Sequence, residues 1–527
     1  MQKQLSLKEA SLWASKYLNR EITISNIYYL VQYGRIPKID KNGNILLNKT
    51  DLRRYYSSHL KKETLLKKQL GEGLNWDLSF SQYNESQTTK HVHRLHPYKG
   101  KFIPQLVEYF LDEHTDHFKK EVFFKPNDIV FDPFCGSGTT LVQSNELAIN
   151  AIGVDISTFN ALLSHAKIDH HDINDIQRHL VTITNELKGF VTTQKHSIVE
   201  FEEKLLSELQ TFNERFFPTA DFRYQVRQGK IDENEYGCEK ETEFLRIYDD
   251  LIKTYQIRLK QQSKDSFLDK WFLQSVRDEI DFVLEMFKQV NNQNTKNILA
   301  VILSRTIRSC RATTHADLAS LKEPITATYY CKKHGKICKP IFSISSWWER
   351  YSKDTLKRLL QFQELKTDTF QMCLTGDSRN INVFSELDKK YPEFGALARK
   401  NKIRGIFSSP PYVGLINYHE QHAYAYDLFH FERKDELEIG PLYKGQGIEA
   451  RKSYIKGIAQ VLLNSKQFMQ DDYDVFLVAN DKYDIYPQIA ELAGMKMVNQ
   501  YKKPVLNRTE KNRSTYADSI FHFKENK

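Results

Sequence analysis

The sequence predicts an α/β protein with a mostly parallel sheet, a large and mostly helical insertion, and a small helix–helix–hairpin unit at the N-terminus. Three observations carry this prediction. Between residues 128 and 157 an apolar strand, a glycine turn, a helix and a second apolar strand follow one another, as in a βαβ unit. A long stretch with helical periodicity then separates Asp155 from the next strand end at Asp377. Residues 1–60 contain two helix patterns and a hairpin signal.

Composition limits the class of protein further. At 527 residues the chain exceeds the size that a single core normally reaches, so we expect more than one domain. The net charge of +9 and the pI near 8.9 mildly favour a polyanionic partner. Six cysteines in a chain this long do not form a disulfide framework, and the start "MQKQLSLKEASLW" has no apolar signal core. We therefore expect a reduced, cytoplasmic protein that has no membrane contact.

The first sixty residues predict a winged helix-turn-helix. "SLKEASLWASKYL" begins with a capping-box pattern and continues with helical spacing. "TISNIYYLVQYGRIP" predicts a second helix that is capped by Thr23 or Ser25 and ends at Gly34. Asn42-Gly43 then predicts a tight hairpin. The charged residues 61–90 are expected to form a linker.

This arrangement resembles the excisionase and MerR-like DNA-binding families, in which the second helix enters the major groove and the hairpin contacts the backbone. The alternative is a structural or protein-docking unit. The resemblance implies the following DNA contacts: Ser25, Asn26 and Tyr29 in the groove, and Arg35 and Lys38 near phosphates.

A glycine turn is the central signal of the sequence. The strand in "DIVFDPFCGSGTTLV" turns at Gly136-Ser137-Gly138 into a helix, and the following strand ends at Asp155. Glycines let a ligand approach the backbone at a helix N-terminus, and an acid at the second strand end is placed to bind ribose hydroxyls. A cofactor that carries adenosine is therefore predicted, although the three-glycine dinucleotide fingerprint is absent.

The full string "DPFCGSGTT" resembles the cofactor loop of S-adenosylmethionine-dependent DNA amino-methyltransferases. The resemblance implies a Rossmann-like methyltransferase domain, formed by residues 91–165 and 366–527, with S-adenosyl-L-methionine as cofactor. "HRLHPYKGKFIP" is similar to the family segment that covers the methionine end, and "CLTGDSRNI" to the strand that reaches the adenine. The implied cofactor residues are Tyr98, Lys101, Phe102, Asp132, Pro133, Phe134, Cys135, Gly136, Ser137, Gly138, Thr139, Thr140, Asp155, Ile156, Asp377 and Ser378.

A proline-rich strand end supplies parts for chemistry on an exocyclic amine. The nitrogen lone pair of such an amine is delocalised into the base, so acceptors around its hydrogens must relocalise it. In "GIFSSPPYVGL" the side chain of Ser409 and the carbonyl of Pro410 are candidate acceptors, Pro411 stiffens the chain, and Tyr412 offers a ring for an extruded base. A proline-rich ligand motif is the alternative.

The family resemblance refines the target. Serine before Pro-Pro-Tyr is typical of cytosine-N4 enzymes, with adenine-N6 methylation as the alternative. The resemblance implies double-stranded DNA as substrate, base flipping, a monomer, and a separate cognate restriction endonuclease. His419 and His422, which follow the motif, are expected to make polar contacts to DNA from a substrate loop. An RNA methyltransferase and a non-enzymatic DNA-binding regulator remain open.

The insertion, residues 166–365, is expected to recognise the target sequence, because the variable inserted region usually does so in this family. Arg305, Arg308 and Arg311 recur every third residue, which predicts either a helical side that faces phosphate or a solvated face. "CKKHGKIC" contains possible zinc ligands with irregular spacing. We expect no metal here; the zinc alternative comprises Cys331, His334 and Cys338, with Cys310 or His315 as a fourth ligand.

Overall fold

The computed structural model describes residues 4–19, 21–41, 44–70, 74–75, 77–80, 83, 85–98, 100–263, 265–315, 323–505 and 516–526. The chain divides into two compact units. The N-terminal unit consists of Met1–Glu72, Leu187–Asp281 and Cys310–Ile344, and the sheet unit consists of Gly73–Glu186, Phe282–Ser309 and Ser345–Lys527. Each unit is thus assembled from three separate stretches of the chain.

The described strands and helices have the following bounds. The strands are β1 (Gln4–Ser6), β2 (Ile39–Lys41), β3 (Asn44–Asn48), β4 (Ile129–Asp132), β5 (Asn150–Asp155), β6 (Tyr329–Cys331), β7 (Lys336–Cys338), β8 (Gln371–Thr375), β9 (Ile403–Ser408), β10 (Met469–Ala479), β11 (Met495–Val505) and β12 (Tyr516–Glu525). The helices are α1 (Leu7–Leu18), α2 (Ile24–Gln32), α3 (Lys49–Leu70), α4 (Glu85–Thr88), α5 (Pro104–Leu111), α6 (Thr139–Glu146), α7 (Thr158–Ile168), α8 (Ile173–Gln194), α9 (His196–Phe216), α10 (Asp221–Arg227), α11 (Glu233–Thr254), α12 (Phe267–Trp271), α13 (Gln274–Phe287), α14 (Gln293–Ser309), α15 (Ser345–Gln363), α16 (Val383–Lys390), α17 (Pro392–Asn401), α18 (Tyr418–Gln421), α19 (Ala423–Phe429), α20 (Ile448–Lys466) and α21 (Tyr486–Leu492).

A seven-stranded sheet forms the centre of the sheet unit, in the order β11-β12-β10-β9-β4-β5-β8. The five strands from β10 to β8 are parallel, whereas β12 is antiparallel to both of its neighbours. From β4 the chain adds β5 and β8 on one side and later adds β9 and β10 on the other, so the strand order reverses between β4 and β9. Such a switch point opens a crevice at the carboxyl ends of the strands. The predicted α/β class is confirmed.

The parallel strands are apolar because helices cover both faces of the sheet. All four residues of β4 and all six of β5 are buried. Phe131, Ile152, Ile406 and Val475 belong to one apolar core with the helices α16, α20 and α21. The buried strands at the centre of the sheet therefore fix the positions of the ends of β4, β5 and β9.

In the N-terminal unit, α1 and α2 lie where the sequence predicts them. Each begins with a capping box, between Ser6 and Glu9 for α1 and between Thr23 and Asn26 for α2. The strands β2 and β3 pair with each other, and β1, which was not predicted, pairs with β3. The predicted turn at Asn42-Gly43 lies outside the described residues. The winged-helix assignment stays a prediction.

The predicted insertion, residues 166–365, does not form one body. It is mostly helical, as expected, but residues 166–186, 282–309 and 345–365, which include α14 and α15, belong to the sheet unit, whereas the remainder belongs to the N-terminal unit. The reason is burial, since the apolar residues of α14 are buried nearly all round the helix. Trp348 of α15 is also buried and donates a hydrogen bond to Thr184 Oγ1 at 3.1 Å. None of the described helices combines the length and apolar composition needed to cross a membrane.

Candidate active site

The glycine turn between β4 and α6 brings its backbone close to the side chains of Ser164 and Tyr98. Gly136 and Gly138 have φ angles of 53° and 74°, a left-handed conformation that favours glycine. A Cβ atom on Gly138 would lie 2.8 Å from the hydroxyl of Ser164, and one on Gly136 would lie 3.0 Å from that of Tyr98. Both glycines are therefore required by conformation and by space, as the motif predicted.

Asp155, at the end of β5, holds the turn in place. Its carboxylate accepts hydrogen bonds from the backbone N–H of Gly136 at 2.7 Å, from that of Ser157 at 2.9 Å and from Nδ2 of Asn160 at 3.0 Å. A carboxylate offers about four acceptor sites. Three of these acceptor sites are thus occupied by hydrogen bonds within the protein. The Asp155 carboxylate, which we predicted to bind ribose hydroxyls, can therefore accept about one hydrogen bond from a ligand.

Asp132, at the end of β4, is bonded across the switch point to the neighbouring strand. The Ser408 hydroxyl at the end of β9 donates to Asp132 Oδ1, and the Phe134 N–H donates to the same oxygen at 3.2 Å. Asp132 is 1% exposed and Ser408 is fully buried. Ser408 was not predicted as a site residue, because Ser409 is the serine that directly precedes the Pro-Pro-Tyr motif.

Burial changes the ionisation of three groups in this region. Loss of hydration raises the pKa of Asp132 to about 6 and that of Asp155 to about 6. Burial, reinforced by nearby Arg94, lowers the pKa of Lys101 to about 8. The Lys101 ammonium donates to the His93 carbonyl at 2.5 Å rather than to either carboxylate. A positively charged ligand group would therefore favour the ionised forms of the two acids.

One cavity lies at this edge of the sheet and encloses about 890 Å³, part of it open to solvent. Ser137 Oγ and Asn160 Oδ1 lie buried in its lining without a hydrogen-bond partner among the described residues. Buried polar atoms are normally satisfied, so this cavity fits a ligand with several polar groups.

Most of the predicted cofactor residues line this cavity. The lining residues that were predicted are Tyr98, Lys101, Phe102, Asp132, Pro133, Phe134, Cys135, Gly136, Ser137, Thr139, Asp155, Ile156, Asp377, Ser378, Ser409 and Pro411. Four predicted residues do not line it: Gly138, Thr140, Pro410 and Tyr412. Thr140 is instead buried, with its hydroxyl donating to the Phe407 carbonyl at 3.3 Å, and Tyr412 packs against the apolar core of the sheet.

Several lining residues were missed by sequence reasoning. They are Gly100, Ser157, Asn160, Gly376, Tyr418, Leu437, Glu438 and Ile439. Ser157 and Asn160 had a usable signal, because a serine two residues after the strand-end Asp155 is a typical cap for the next helix. Glu438 and its neighbours had none, since only the tertiary fold brings this loop to the cavity.

The Asp377 carboxylate lines the cavity and also forms a local ion pair, so its contact with the adenine stays a prediction. Arg379 binds this carboxylate through two nitrogens, with Nε at 2.9 Å from Oδ1 and Nη2 at 2.6 Å from Oδ2. The same guanidinium also donates to the Leu437 carbonyl at 3.2 Å. Asp377 therefore organises this wall of the cavity, whereas the neighbouring Ser378 donates to the Pro133 carbonyl at 2.6 Å.

The two histidines that follow the proline motif are internal. His419 is fully buried; its backbone N–H donates to Glu438 Oε1 at 2.8 Å, and its Nδ1 contacts the same oxygen. His422 is 3% exposed and stacks on Tyr98, with ring centroids 5.6 Å apart. Because neither ring reaches the surface, the predicted direct contacts to DNA are corrected to packing roles behind the cavity.

The three predicted arginines do not form a row that faces phosphate. Arg305 is 7% exposed, binds Asp354 at 2.8 Å and lies over the Tyr351 ring at 4.1 Å. Arg311 is also buried and lies beyond the end of α14 at Ser309, so the helical spacing does not extend to it. Arg308 is half-buried. Ion pairing within the fold explains Arg305, which sequence spacing could not reveal.

Of the five side chains predicted to contact DNA in the N-terminal unit, three are exposed on α2 and two bind other side chains of the unit. Ser25, Asn26 and Tyr29 are exposed on α2. Asn26 Oδ1 accepts the Thr23 N–H at 2.9 Å, so this amide also serves as a helix cap. The remaining two, Arg35 and Lys38, have partners within the unit, namely the Tyr55 hydroxyl at 2.9 Å and the Asp221 carboxylate at 3.8 Å.

The possible zinc ligands come together in the same unit. The donor atoms of His315, Cys331, His334 and Cys338 all lie within 4.8 Å of one another. Of the two fourth ligands that the sequence left open, His315 is in this group and Cys310 is not.

A mostly parallel sheet, a glycine turn, two buried strand-end acids and a proline-rich strand end meet at one cavity, an arrangement typical of α/β enzymes that bind a ligand at a switch point. Residues 9–163 match the N6 and N4 methyltransferase family, described as DNA methylase. The chain is 42% identical over 528 residues to the type II methyltransferase M.MjaII of Methanocaldococcus jannaschii, covering 99% of this chain and 97% of the relative. It belongs to the type II DNA methyltransferase family.

Two further relatives share shorter segments. The type II methyltransferase M.MvaI of Kocuria varians is 31% identical over 106 residues, 20% of this chain and 22% of the relative. The type II methyltransferase M.BsoBI of Geobacillus stearothermophilus is 26% identical over 228 residues, 40% of this chain and 42% of the relative. The prediction of a DNA methyltransferase is confirmed, and the family implies a methyl donor of the S-adenosylmethionine type. A non-enzymatic regulator is thereby set aside.

The raised pKa of Asp132 predicts a pH-dependent stability. The folded-state pKa of about 6 exceeds the ordinary value of 3.8, so the stabilisation from protonated Asp132 is complete below about pH 4 and is lost as the pH rises through 6. Asp132→Asn removes this loss. The free energy of unfolding of the variant, minus that of the wild type, should therefore rise by about 3 kcal/mol between pH 4 and pH 7. Urea unfolding at a series of pH values measures it, and a constant difference would contradict the burial argument.

Proposed function

We propose that this chain methylates the N4 amine of cytosine at a specific site in double-stranded DNA, with S-adenosyl-L-methionine as methyl donor and with the target cytosine flipped out of the duplex. The observation that carries the proposal is the position of Ser409 and Pro411. Both line the same cavity as the glycine turn and the two buried acids. An acceptor for a base amine thus shares a site with the groups suited to the cofactor.

The polar groups of the cavity suit the two ends of S-adenosylmethionine. Asp155 retains about one free acceptor site, and the unpartnered Asn160 Oδ1 lies beside it, so together they suit ribose hydroxyls. Asp132 suits the amino group of the methionine end, because a buried carboxylate favours a cationic partner. When bound, this cofactor supplies an electrophilic methyl group.

Ser409 is arranged as a hydrogen-bond acceptor. Its hydroxyl donates to the Val478 carbonyl on the neighbouring strand at 3.1 Å, which engages its only hydrogen. The lone pairs of Ser409 Oγ are then directed to accept a hydrogen from the base amine. Pro410 has no N–H, so its peptide offers only a carbonyl. Hydrogen bonds from the amine to these two acceptors would relocalise the nitrogen lone pair for attack on the methyl group, and the methylated nitrogen then releases one proton.

A covalent cysteine mechanism is disfavoured by the surroundings of Cys135. Hydrogen bonding to Cys373, together with burial, raises the pKa of the Cys135 thiol well above its usual range. A protonated, buried thiol is a poor nucleophile. Direct attack by the exocyclic amine is therefore favoured over addition of a cysteine to the cytosine ring. We assign Tyr412, which lies outside the cavity lining, to stacking on the flipped base.

The N-terminal unit is proposed to contact DNA through α2. Ser25 and Tyr29 are exposed there, and Tyr28 and Ile24 add further exposed apolar surface on the same helix. Methylation of this kind would protect host DNA alongside a separate restriction endonuclease, as the type II names of the relatives suggest.

The identity of the methylated nucleoside in the product DNA tests the proposal. DNA that has been methylated by the purified chain should yield N4-methylcytosine when it is digested to nucleosides and compared with authentic standards by mass spectrometry. N6-methyladenine would move the target to the alternative base. The cysteine argument fails if 5-methylcytosine is found. Parallel incubation with RNA tests the remaining substrate class.

Adjacent serines should separate catalysis from cofactor binding. Ser409→Ala removes an acceptor for the amine, so kcat should fall by about 10²-fold, while the calorimetric affinity for S-adenosylmethionine stays unchanged. Ser408→Ala, the matched control, removes a hydrogen bond from Asp132 and should instead weaken cofactor binding by about 1 to 3 kcal/mol. Equal effects of both substitutions on cofactor affinity would argue against the assigned roles.

Point substitutions test α2 better than deletion does, because Ala220 shares an apolar core with residues 1–60 and deletion would expose it. Tyr29→Ala should weaken DNA binding by about 1 to 3 kcal/mol, and Ser25→Glu should weaken it most at low salt. Leu12→Ala, on the exposed side of α1, is the control. Fluorescence anisotropy over a salt series measures this effect. Unaltered DNA affinity in both variants would make the unit a docking module for a protein partner.

A further inference from the structure

A second site lies far along the chain from the glycine turn, in the hairpin of β6 and β7. The donor atoms of His315, Cys331, His334 and Cys338, here called the hairpin cluster, lie within 4.8 Å of one another. His315 Nδ1 is 3.7 Å from Cys331 Sγ, and His334 Nδ1 is 3.4 Å from Cys338 Sγ. The two imidazole rings have centroids only 4.3 Å apart.

These separations match a shared tetrahedral ion. With zinc bonds of about 2.3 Å to sulfur and about 2.0 Å to nitrogen, two ligands of a tetrahedron lie roughly 3.3 to 3.8 Å apart. Both nitrogen–sulfur distances in the cluster fall within that range. Two thiolates and two imidazoles also form a typical donor set for structural zinc, whereas calcium and magnesium require oxygen ligands.

The local chain is shaped to present these ligands. β6 ends at Cys331, and the N–H groups of His334 and Gly335 both donate to the Cys331 carbonyl, at 3.0 and 2.6 Å. Gly335 has a φ of +64°, which lets the chain reverse into β7 and bring Cys338 back beside Cys331. The Tyr329 hydroxyl lies 2.8 Å from His315 Nδ1 and keeps this imidazole beside Cys331; coordination of an ion by Nδ1 would replace this hydrogen bond.

The hairpin has little else to stabilise it on the side of the cluster. Its own apolar core consists of Tyr329, Cys331 and Cys338, with Ile325 packed against them. A hairpin with two three-residue strands is marginal in water, and small units of this kind usually depend on a metal or a disulfide. On its other side, the Asn213 side chain bonds both the N–H and the carbonyl of Ile337, at 2.9 and 3.0 Å.

We propose that the hairpin cluster binds one Zn²⁺ ion in a structural role. All four protein ligands are present, so no coordination position is left for water or substrate, which is the difference between a structural and a catalytic zinc site. The ion ties residue 315 to the hairpin. The hairpin in turn is held by Arg223, which bonds the carbonyl of Lys332 at 3.2 Å and lies over the Tyr33 ring at 5.0 Å. Zinc thus supports the contact between the hairpin and the end of α2 within the N-terminal unit.

Metal analysis of the full chain tests the proposal. Protein purified without chelators should contain one zinc per chain by plasma mass spectrometry. Cys331→Ser and His315→Asn should each lower the zinc content by at least about tenfold under matched conditions. Cys238→Ser changes an exposed cysteine outside the cluster and should leave the zinc content unchanged.

Cobalt substitution tests the site in the wild-type chain, so the result does not depend on whether the variants fold. The wild-type chain, stripped of metal under reducing conditions and reloaded with Co²⁺, should show the intense visible bands of tetrahedral cobalt and a thiolate charge-transfer band. Chelation should also lower the melting temperature of the wild type. A wild-type chain that holds no zinc as purified and takes up neither metal under reducing conditions would overturn the proposal, as would a disulfide between Cys331 and Cys338 in the native protein.

Discussion

The hydrogen bond from Ser408 to Asp132 joins the two strands between which the strand order of the sheet reverses. It fixes the carboxyl end of β4 against that of β9, and the Gly136–Asp155 hydrogen bond fixes the glycine turn against β5. The three strand ends that shape the cavity are therefore linked before any ligand binds. Such preorganisation lowers the entropy cost of binding, and it would hold the cofactor and the target base in the orientation that methyl transfer requires. It also explains why both acids must be buried.

Burial of two acids in one cavity has an electrostatic consequence. Each carboxylate is bonded by neutral donors, and the pKa of each is raised to about 6. Neither carboxylate forms an ion pair with a described side chain, since the Lys101 ammonium in the lining donates to the His93 carbonyl, and a ligand with positive charge would stabilise the ionised acids. A sulfonium compound with a free amino group has this property, whereas a neutral nucleotide lacks it. The charge of the cavity thus favours the same cofactor class as its shape and the family do.

Local patterns predicted most of the residues that line the cavity, because a strand, a glycine turn and a strand-end acid are neighbours in the sequence. The same reasoning from local patterns was wrong where a side chain pairs with a residue that is distant in the sequence. Asp354, far along the chain, neutralises Arg305, and the fold buries His419 against Glu438. The pairing of Asp377 with Arg379 is local but was not predicted, because the family resemblance directed attention to the adenine. The zinc alternative left the fourth ligand open between Cys310 and His315, and the tertiary fold places His315 beside Cys331, His334 and Cys338.

The central claim is that the cavity between Asp132 and Asp155 holds the cofactor. A crystal structure of the full chain grown with S-adenosylhomocysteine tests it most directly. We expect ligand density in this cavity, with the ribose hydroxyls beside Asp155 and Asn160 and the amino acid end beside Asp132. Density for the ligand at another place, or a ribose that contacts neither Asp155 nor Asn160, would contradict the account.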